Sequence, residues 1–223
     1  MNEILFILMS LVSLGFMLIA FRLGKAWVMG MIVVCVILMN IFVTKGMYLF
    51  GLAATGGNVL YASIFLATDL LAEHYGKKTA TRAVRIGFLA SLFFLVMSQF
   101  ILWFEPADFD FAQSALKTIF SLTPRIVIAS LIAYLISQHL DVWLFHKIKE
   151  KTKGKHLWLR NNGSTWISQA VDSVIFTLIA FLGVFPDIWQ IILFTYIIKI
   201  IVAALDTPFI YLSKQFLPKE LKK

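Results

Sequence analysis

The run ILFILMSLVSLGFMLIAF, at Ile4–Phe21, contains no charged residue and has the length of a membrane-crossing helix. An α-helix rises about 1.5 Å per residue, so about 20 apolar residues span the roughly 30 Å of hydrocarbon in a bilayer. The rest of the chain continues in this way, with 60% of its 223 residues hydrophobic and 14% charged. A soluble domain has about 25% charged residues. The sequence therefore predicts an all-α, polytopic transmembrane helical bundle, with residues 1–223 forming a single domain.

Seven apolar runs follow one another along the chain. They are Ile4–Phe21, Ala26–Thr44, Met47–Glu73, Ala83–Phe104, Pro124–Leu144, Ser164–Val184 and Trp189–Leu212. The third run is long enough to be tilted or broken. Its pair Gly56–Gly57 is able to interrupt a helix, which is tolerated in a membrane where a cavity or other protein satisfies the freed backbone groups. Six spans stay open as an alternative, with two runs merged or one N-terminal run lying on the membrane surface.

The loops between these runs differ in charge. Of the 20 Lys and Arg residues, 16 lie in or beside the connections that follow the first, third, fifth and seventh runs. Cytoplasmic loops carry such an excess of basic residues. The pattern predicts a multi-pass protein of the cytoplasmic membrane, with its N-terminus outside and its C-terminus in the cytoplasm. The net charge of +8 follows from the same bias, so no nucleic-acid partner is expected.

Ionisable residues inside apolar runs are the first candidates for function. Each costs at least about 2.5–3.5 kcal/mol at the centre of a membrane helix, so it persists where it faces a cavity, pairs internally or takes part in function. The six residues are Asp69, Glu73, Asp141, Asp172, Lys199 and Asp206. Asp172 lies about 12 Å along its run and is the strongest candidate. Lys199 is expected to be the counter-ion of either Asp172 or Asp206.

A short element occurs twice, as SQHLDVWLF at Ser137–Phe145 and as SQAVDSVIF at Ser168–Phe176. In each copy the Gln and the Asp are three positions apart, so they share a helix face. The residues so placed are Ser137, Gln138 and Asp141 in the first copy and Ser168, Gln169 and Asp172 in the second. The two helices are predicted to be antiparallel neighbours, so the copies would form a polar slot that opens toward the cytoplasmic half. Hydrogen bonding from helix to helix is the alternative role for these residues.

The slot suits a particular class of ligand. Carboxylates accept hydrogen bonds, and amides both donate and accept them. A planar, neutral heterocycle with a guanine-like edge offers adjacent N–H donors to a carboxylate and a carbonyl to an amide. Many other polar solutes would fit as well.

Three blocks of the chain resemble one family. FLATDLLAEHYGKKTATR at Phe65–Arg82 is similar to the T-D-x-x-x-E-x-Y-G-K-K/R signature of the bacterial queuosine precursor transporters, a vitamin-uptake-like family of integral membrane transporters. SQHLDVWLF resembles the second block of that family. LWLRNNGSTWISQAVDSVIFTLIAF at Leu157–Phe181 resembles the third. The blocks occur in the order of the family and span over half of the chain.

The resemblance implies import of queuosine precursors, 7-cyano-7-deazaguanine or 7-aminomethyl-7-deazaguanine, into the cytoplasm for tRNA modification. It places recognition and gating among the matching positions. We predict substrate binding by Asp172, Gln169, Ser168, Asp141, Gln138, Asn161 and Asn162. We predict gating or ion coupling by Asp69, Glu73, Arg160 and Lys199.

The mode of energy coupling stays open. The chain has no G-x-x-x-x-G-K-[ST] loop, which excludes a built-in ATPase of the P-loop type. The alternatives for coupling are proton or ion symport, facilitated diffusion and an external energising subunit. Assembly into a homo-oligomer is also left open. A substrate-capturing subunit of a larger vitamin transporter is the alternative function. A membrane-embedded enzyme is disfavoured, because no H-E-x-x-H, G-x-S-x-G or Cys/His cluster occurs, and no metal or cofactor is expected.

Overall fold

The computed structural model describes residues 1–153 and 157–221, without the side chains of residues 61, 62, 77, 142, 145, 149, 157–162, 202–208, 210 and 211. Eight α-helices and one β-hairpin make up the described chain. They are α1 (Asn2–Leu23), α2 (Lys25–Phe42), β1 (Gly46–Leu49), β2 (Leu52–Thr55), α3 (Asn58–Tyr75), α4 (Lys77–Trp103), α5 (Gln113–Phe120), α6 (Thr123–Lys151), α7 (Leu157–Phe181) and α8 (Ile188–Ser213). Two short 3-10 helices, Lys214–Phe216 and Lys219–Leu221, follow.

The helices confirm the predicted polytopic bundle. Five stretches of the described residues are long and apolar enough to cross a membrane: Asn2–Leu23, Lys25–Phe42, Lys78–Trp103, Gln113–Ile148 and Gly163–Phe181. The described part of α8 adds a shorter apolar stretch, Ile188–Ile201. Large apolar side chains on the outer faces, among them Leu8, Phe93 and Ile136, are exposed. A large exposed apolar surface is unusual for a protein in water, and in a membrane it is covered by lipid.

Single glycines make the two tightest connections between helices. Gly24 joins α1 to α2 with a φ of 120°, and Gly76 joins α3 to α4 with a φ of 84°. Both angles lie where residues with a Cβ are strained, so one residue reverses the chain. Because α2 leads away from Gly24 to β1, the glycine turns and the hairpin lie at opposite ends of the bundle. We call these ends the turn end and the hairpin end.

The β-hairpin corrects the predicted third span, which started at Met47. Gly46–Leu49 pairs antiparallel with Leu52–Thr55, and α3 begins only at Asn58. The interruption expected at Gly56–Gly57 is therefore present, but the segment before it is strand and not helix. A Cβ on Gly56 would lie 2.6 Å from the backbone oxygen of Phe42, so the chain here runs directly against the end of α2. This close approach requires glycine and separates the hairpin from α3.

The structure also corrects the predicted connection between the fifth and sixth apolar runs, which end at Leu144 and begin at Ser164. α6 continues to Lys151 and α7 already begins at Leu157, so most of that segment is helical. Lys and Glu favour helix, and a helix is free to continue beyond the membrane. Lys147 lies over the ring of Trp143, with its Nζ atom 4.2 Å from the ring centroid.

The C-terminal segment is tied to the turn end. Glu220 Oε1 accepts hydrogen bonds from the hydroxyl of Tyr75 at 2.5 Å and from the backbone N–H of Lys25 at 3.0 Å. These bonds stabilise the carboxylate and hold the pKa of Glu220 below its ordinary value. The segment therefore packs beside the connection between α1 and α2.

The helices pack in two groups. α3 packs against α1, α2, α4 and α8, around a buried core that includes Phe21, Leu66, Leu70 and Phe194. α6 lies mainly along α7, and α8 contacts both α3 and α7. The space between α2, α3 and α4 on one side and α6 and α7 on the other is only partly filled.

Candidate functional site

A cavity of about 380 Å³ occupies the space between the two helix groups. Ligand sites of proteins have volumes of about 300–1,000 Å³. The lining residues come from α2, α3, α4, α6 and α7, so the cavity lies within the bundle. It is the place where a solute would be held between several membrane helices.

Aromatic rings form one part of the wall. Phe65, Phe88, Tyr134 and Phe176 all line the cavity. The rings of Phe88 and Tyr134 meet edge to face, with centroids 4.6 Å apart and planes inclined at 70°. Aromatic faces of this kind offer stacking surfaces to a flat heterocycle.

Aliphatic side chains such as Ile32, Val36 and Ala133 line the cavity as well. The polar lining residues are Asn40, Thr68, Thr81, Ser91, Ser130, Ser137, Gln138, Gln169 and Asp172. Among the side chains that the structure describes, Asp172 is the one carboxylate of the lining. An apolar pocket with a few convergent polar groups is the usual composition of a binding site for a small molecule.

Asp172 is held by two partners. Its Oδ1 atom accepts a hydrogen bond from Ser137 Oγ at 3.2 Å, and its Oδ2 atom forms an ion pair with Lys199 Nζ. The Lys199 side chain is 1% exposed, whereas that of Asp172 is 16% exposed and borders the cavity. The lysine thus balances the charge from behind, and the carboxylate keeps lone pairs toward the open space. Of the two carboxylates predicted as the partner of Lys199, Asp172 is seen paired with it, and the side chain of Asp206 lies outside the described part of the structure.

The two copies of the Ser-Gln-x-x-Asp element bind each other. Ser137 on α6 donates to Asp172 on α7, and Ser168 on α7 donates to Asp141 on α6 at 3.1 Å. The serine of each copy therefore satisfies the aspartate of the other across two antiparallel helices. Hydrogen bonds of this kind hold membrane helices together.

The predicted substrate-binding residues separate into three groups. Gln138, Gln169 and Asp172 line the cavity. Ser168 and Asp141 pair with each other and do not line it. Asn161 and Asn162 belong to the first turns of α7, but their side chains lie outside the described part of the structure.

The predicted gating residues lie at different depths. Asp69 is half-buried on α3, next to the cavity-lining Thr68, whereas Glu73 is exposed one turn further on. Lys199 is buried behind Asp172. The backbone of Arg160 is helical, and its side chain is outside the described residues. Among the side chains that the structure describes, no group of three His, Cys, Asp or Glu is arranged to hold a metal ion.

Sequence reasoning missed several lining residues. Asn40 is the only amide in the apolar run of α2, so the argument applied to the buried acids would have found it. Tyr134, Ser130 and Phe88 give no such signal, because single Tyr, Ser and Phe residues are common in membrane helices. Their role depends on the way α4 and α6 face each other.

A second, small cavity of about 20 Å³ continues the first toward the hairpin end. The two share Met39, Asn40 and Phe176. Beyond it, hydrogen bonds fix the hairpin in place, from Tyr48 Oη to Asp187 at 3.2 Å and from the Ala53 backbone N–H to Gln190 at 3.0 Å.

The turn end of the cavity is different. Thr81 and Gln138 line the cavity there and are exposed side chains. The exposed part of the cavity wall thus lies nearer the turn end, whereas Asn40, near the hairpin end, is buried.

Known proteins with similar sequences are named as transporters. A "Probable queuosine precursor transporter" of Bacillus subtilis is 44% identical over 197 residues, which cover 87% of this chain and 84% of the relative. A "Queuosine precursor transporter" of Escherichia coli is 30% identical over 144 residues, covering 64% of this chain and 62% of the relative. A "Probable queuosine precursor transporter" of Haemophilus influenzae is 29% identical over 138 residues, covering 59% and 54%. No solved structure matches this chain.

A model of one protein family covers most of the helical bundle. Its description is "Putative vitamin uptake transporter", and it matches residues 55–213. The match extends from the end of the hairpin to the end of α8 and includes both copies of the Ser-Gln-x-x-Asp element. On this match and on the 44% identity to the Bacillus subtilis protein, the chain belongs to the family of vitamin uptake transporters.

Proposed function

We propose that this chain is a membrane transporter that imports queuosine precursors, 7-cyano-7-deazaguanine or 7-aminomethyl-7-deazaguanine, into the cytoplasm. The observation that carries the proposal is the cavity of about 380 Å³ inside the bundle, with Asp172 as its one lining carboxylate. The names of the relatives support the choice of substrate. The whole chain acts as one transport domain.

Asp172 and Gln169 are the groups that recognise the base. A 7-deazaguanine presents a ring N–H and an amino group side by side, which match the two oxygens of a carboxylate. Gln169 and Gln138, which also line the cavity, supply amide donors for the ring carbonyl. Phe88 and Tyr134 enclose the flat ring. The site thus combines charge-assisted hydrogen bonds with stacking in a place shielded from water.

Lys199 keeps the empty site stable. An unpaired carboxylate inside a membrane bundle is expensive, and the ion pair with Lys199 removes that cost before substrate arrives. When the donors of the substrate approach Asp172, they share the carboxylate with the lysine. Lys199 thereby links substrate binding to the position of α8.

Transport follows from access that alternates between the two ends. The hairpin end faces the exterior and the turn end faces the cytoplasm, as the distribution of basic residues predicts. The hydrogen bonds of the hairpin and the exposed Thr81 and Gln138 then correspond to a conformation that releases substrate inward. Asp69, Glu73 and Arg160 form the inner gate in this proposal, and Asn161 and Asn162 stay proposed substrate-binding residues.

The orientation has its own test. A reporter that is active only in the cytoplasm, fused after residue 223, is expected to be active, and the same reporter before Met1 inactive. The opposite result reverses the direction in which the cavity opens and contradicts the inward-release conformation.

The function is tested in cells that lack both synthesis and uptake of queuosine precursors. Externally supplied precursor should restore queuosine in tRNA when the chain is produced. The double variant Asp172→Asn/Lys199→Met, which removes the carboxylate and its counter-ion together, should not restore it. Asp108→Asn, at an exposed carboxylate in the loop after α4, is the matched control and should behave as wild type. Membrane-inserted wild type without restoration, or full restoration by the double variant, would contradict the proposal.

A further inference from the structure

Asn40 is a buried amide with an unused acceptor. The residue is 5% exposed, although its own helix, α2, is otherwise apolar over residues 31–39. Its Nδ2 atom donates to the backbone oxygen of Val36 at 2.8 Å. Among the residues that the structure describes, no donor lies within hydrogen-bond distance of its Oδ1 atom.

The orientation of this amide follows from its partner. A backbone carbonyl only accepts hydrogen bonds, so the nitrogen of Asn40 must face Val36 and the oxygen must face away. Asn40 lines both the large and the small cavity, and the free oxygen is directed to the space they share. Among the described residues, Thr177 Oγ1 is the one fully enclosed side-chain polar atom without a partner, so the oxygen of Asn40 borders open space. A donor group of a ligand in that space can therefore bond to it.

Ser130 adds a second acceptor at the same end of the cavity. Its hydroxyl donates to the backbone oxygen of Val127 at 2.8 Å, so only the lone pairs of the oxygen remain for a ligand. Asn40 is two residues from the end of α2, and Ser130 is two turns from the start of α6, both at the hairpin end. This end of the cavity therefore calls for a ligand that donates hydrogen bonds.

Asn40 and Asp172 line the same large cavity, with Asn40 nearer the hairpin end. Phe176 lies one turn beyond Asp172 toward the hairpin end, about 6 Å along α7, and shares the small cavity with Asn40. In a 7-deazaguanine the donor edge of the six-membered ring is opposite to carbon 7. With that edge on Asp172, the substituent on carbon 7 points toward Asn40.

We propose that Asn40 is a specificity-determining residue, whose Oδ1 atom accepts a hydrogen bond from an N–H group on the substituent at carbon 7. The inference rests on the function proposed above. An aminomethyl group carries N–H donors in either protonation state, whereas a nitrile has a nitrogen lone pair and no hydrogen. The site therefore prefers 7-aminomethyl-7-deazaguanine, because a nitrile would bring its nitrogen against the oxygen of Asn40.

Binding to the purified full-length chain tests the proposal with three ligands: the aminomethyl precursor, the cyano precursor and 7-deazaguanine without a substituent. Calorimetry on the wild type should show the aminomethyl precursor bound at least about tenfold more tightly than the cyano precursor. Asn40→Leu should lower the affinity for the aminomethyl precursor by about tenfold and change the affinity for 7-deazaguanine by no more than about twofold. The unsubstituted ligand thus reports that the variant is folded.

Asn58→Leu is the matched control. Asn58 is also a buried amide at the hairpin end, and its Nδ2, like that of Asn40, has an internal acceptor, Thr195 Oγ1 at 3.3 Å. It differs from Asn40 in that it lines only the small cavity and not the large one that borders Asp172. The ratio of the two precursor affinities should not change in this variant. Ser130→Ala is the second test variant and should reduce the ratio.

Equal wild-type affinities for both precursors overturn the inference and leave the proposed function intact. Equal weakening of all three ligands by Asn40→Leu also overturns it, since Asn40 then acts through the structure. If the wild type binds none of the three, the proposed function fails and this inference fails with it.

Discussion

The ion pair between Lys199 and Asp172 allows a quantitative test of the buried site. Lys199→Met removes the charge but keeps an apolar chain of similar length. It leaves Asp172 as a carboxylate inside the bundle without its lysine. Breaking a buried ion pair from one side costs about 3–5 kcal/mol. Because Asp172 is 16% exposed and borders the cavity, the lower value of about 3 kcal/mol is appropriate.

The expected change in melting temperature follows from that energy. For a chain of about this length, 1 kcal/mol shifts Tm by about 2–4 °C, so Lys199→Met should lower Tm by about 6–12 °C. Asp172→Asn, which removes the charge of the carboxylate beside the lysine, should lower Tm in the same direction. The double variant has neither charge and should recover most of the loss, since removing both members of a buried pair is often close to neutral. Lys45→Met, at an exposed lysine in a loop, is the control and should change stability by no more than about 0.5 kcal/mol.

The assay is the thermal unfolding of purified protein in detergent at neutral pH, followed by tryptophan fluorescence. The three variants and the wild type form a double-mutant cycle. With about 3 kcal/mol lost in each single variant and little lost in the double variant, its interaction energy should be about 5–6 kcal/mol in magnitude. Single variants that melt within about 2 °C of the wild type would refute the reasoning, because that shift corresponds to no more than about 1 kcal/mol. A double variant as unstable as the sum of the two single ones would refute it as well.

Three further predictions concern other contacts. Ser168→Ala removes the donor to Asp141 and should destabilise the protein by about 1–3 kcal/mol in the same assay, whereas Ser10→Ala, at a serine that bonds within its own helix, should have a much smaller effect. Arg125→Met removes two hydrogen bonds to carbonyls at the end of α7, at 2.5 and 2.7 Å, and should lower stability by about 2 kcal/mol, with partial recovery in Arg125→Lys. Hydrogen bonds lower the pKa of Glu220, so its contribution to holding the C-terminal segment is complete above the ordinary pKa of 4.5 and lost as the pH falls below it. Hydrogen exchange over residues 214–221, corrected for intrinsic rates, should therefore increase between pH 7 and pH 3.5, and Glu220→Gln should show the increase already at pH 7; equal protection at both pH values would contradict this.

Part of the site could be predicted from single residues. Asp172 and Lys199 are candidates because a charge in an apolar run is costly in a membrane and persists only where it is paired, faces a cavity or takes part in function. This reasoning needs no knowledge of the fold. The same logic applies to Asn40, which was overlooked since amides cost less than charges. Tyr134 and Phe88 could not be predicted, because their ring contact joins α4 to α6 and depends on how these helices are rotated.

The errors about secondary structure also have physical causes. Residues 46–55 are apolar enough for a membrane helix, but their backbone hydrogen bonds are satisfied within a hairpin that packs on the ends of α1 and α8. The basic residues after residue 145 predict a loop, because charged residues are excluded from lipid. Charge excludes a segment from lipid but does not prevent it from being helical.

The amino-acid sequence by itself determined that this protein is a helical membrane bundle and which polar residues must be kept from lipid, since the bilayer acts on each residue through its own free energy of transfer. Only the tertiary structure decided the partners of those residues. Ser137 bonds to Asp172 and Ser168 to Asp141, each across the interface of α6 and α7, and Lys199 pairs with Asp172. Such contacts depend on the register and rotation of neighbouring helices, which arise from packing along their whole length and from no single position in the chain.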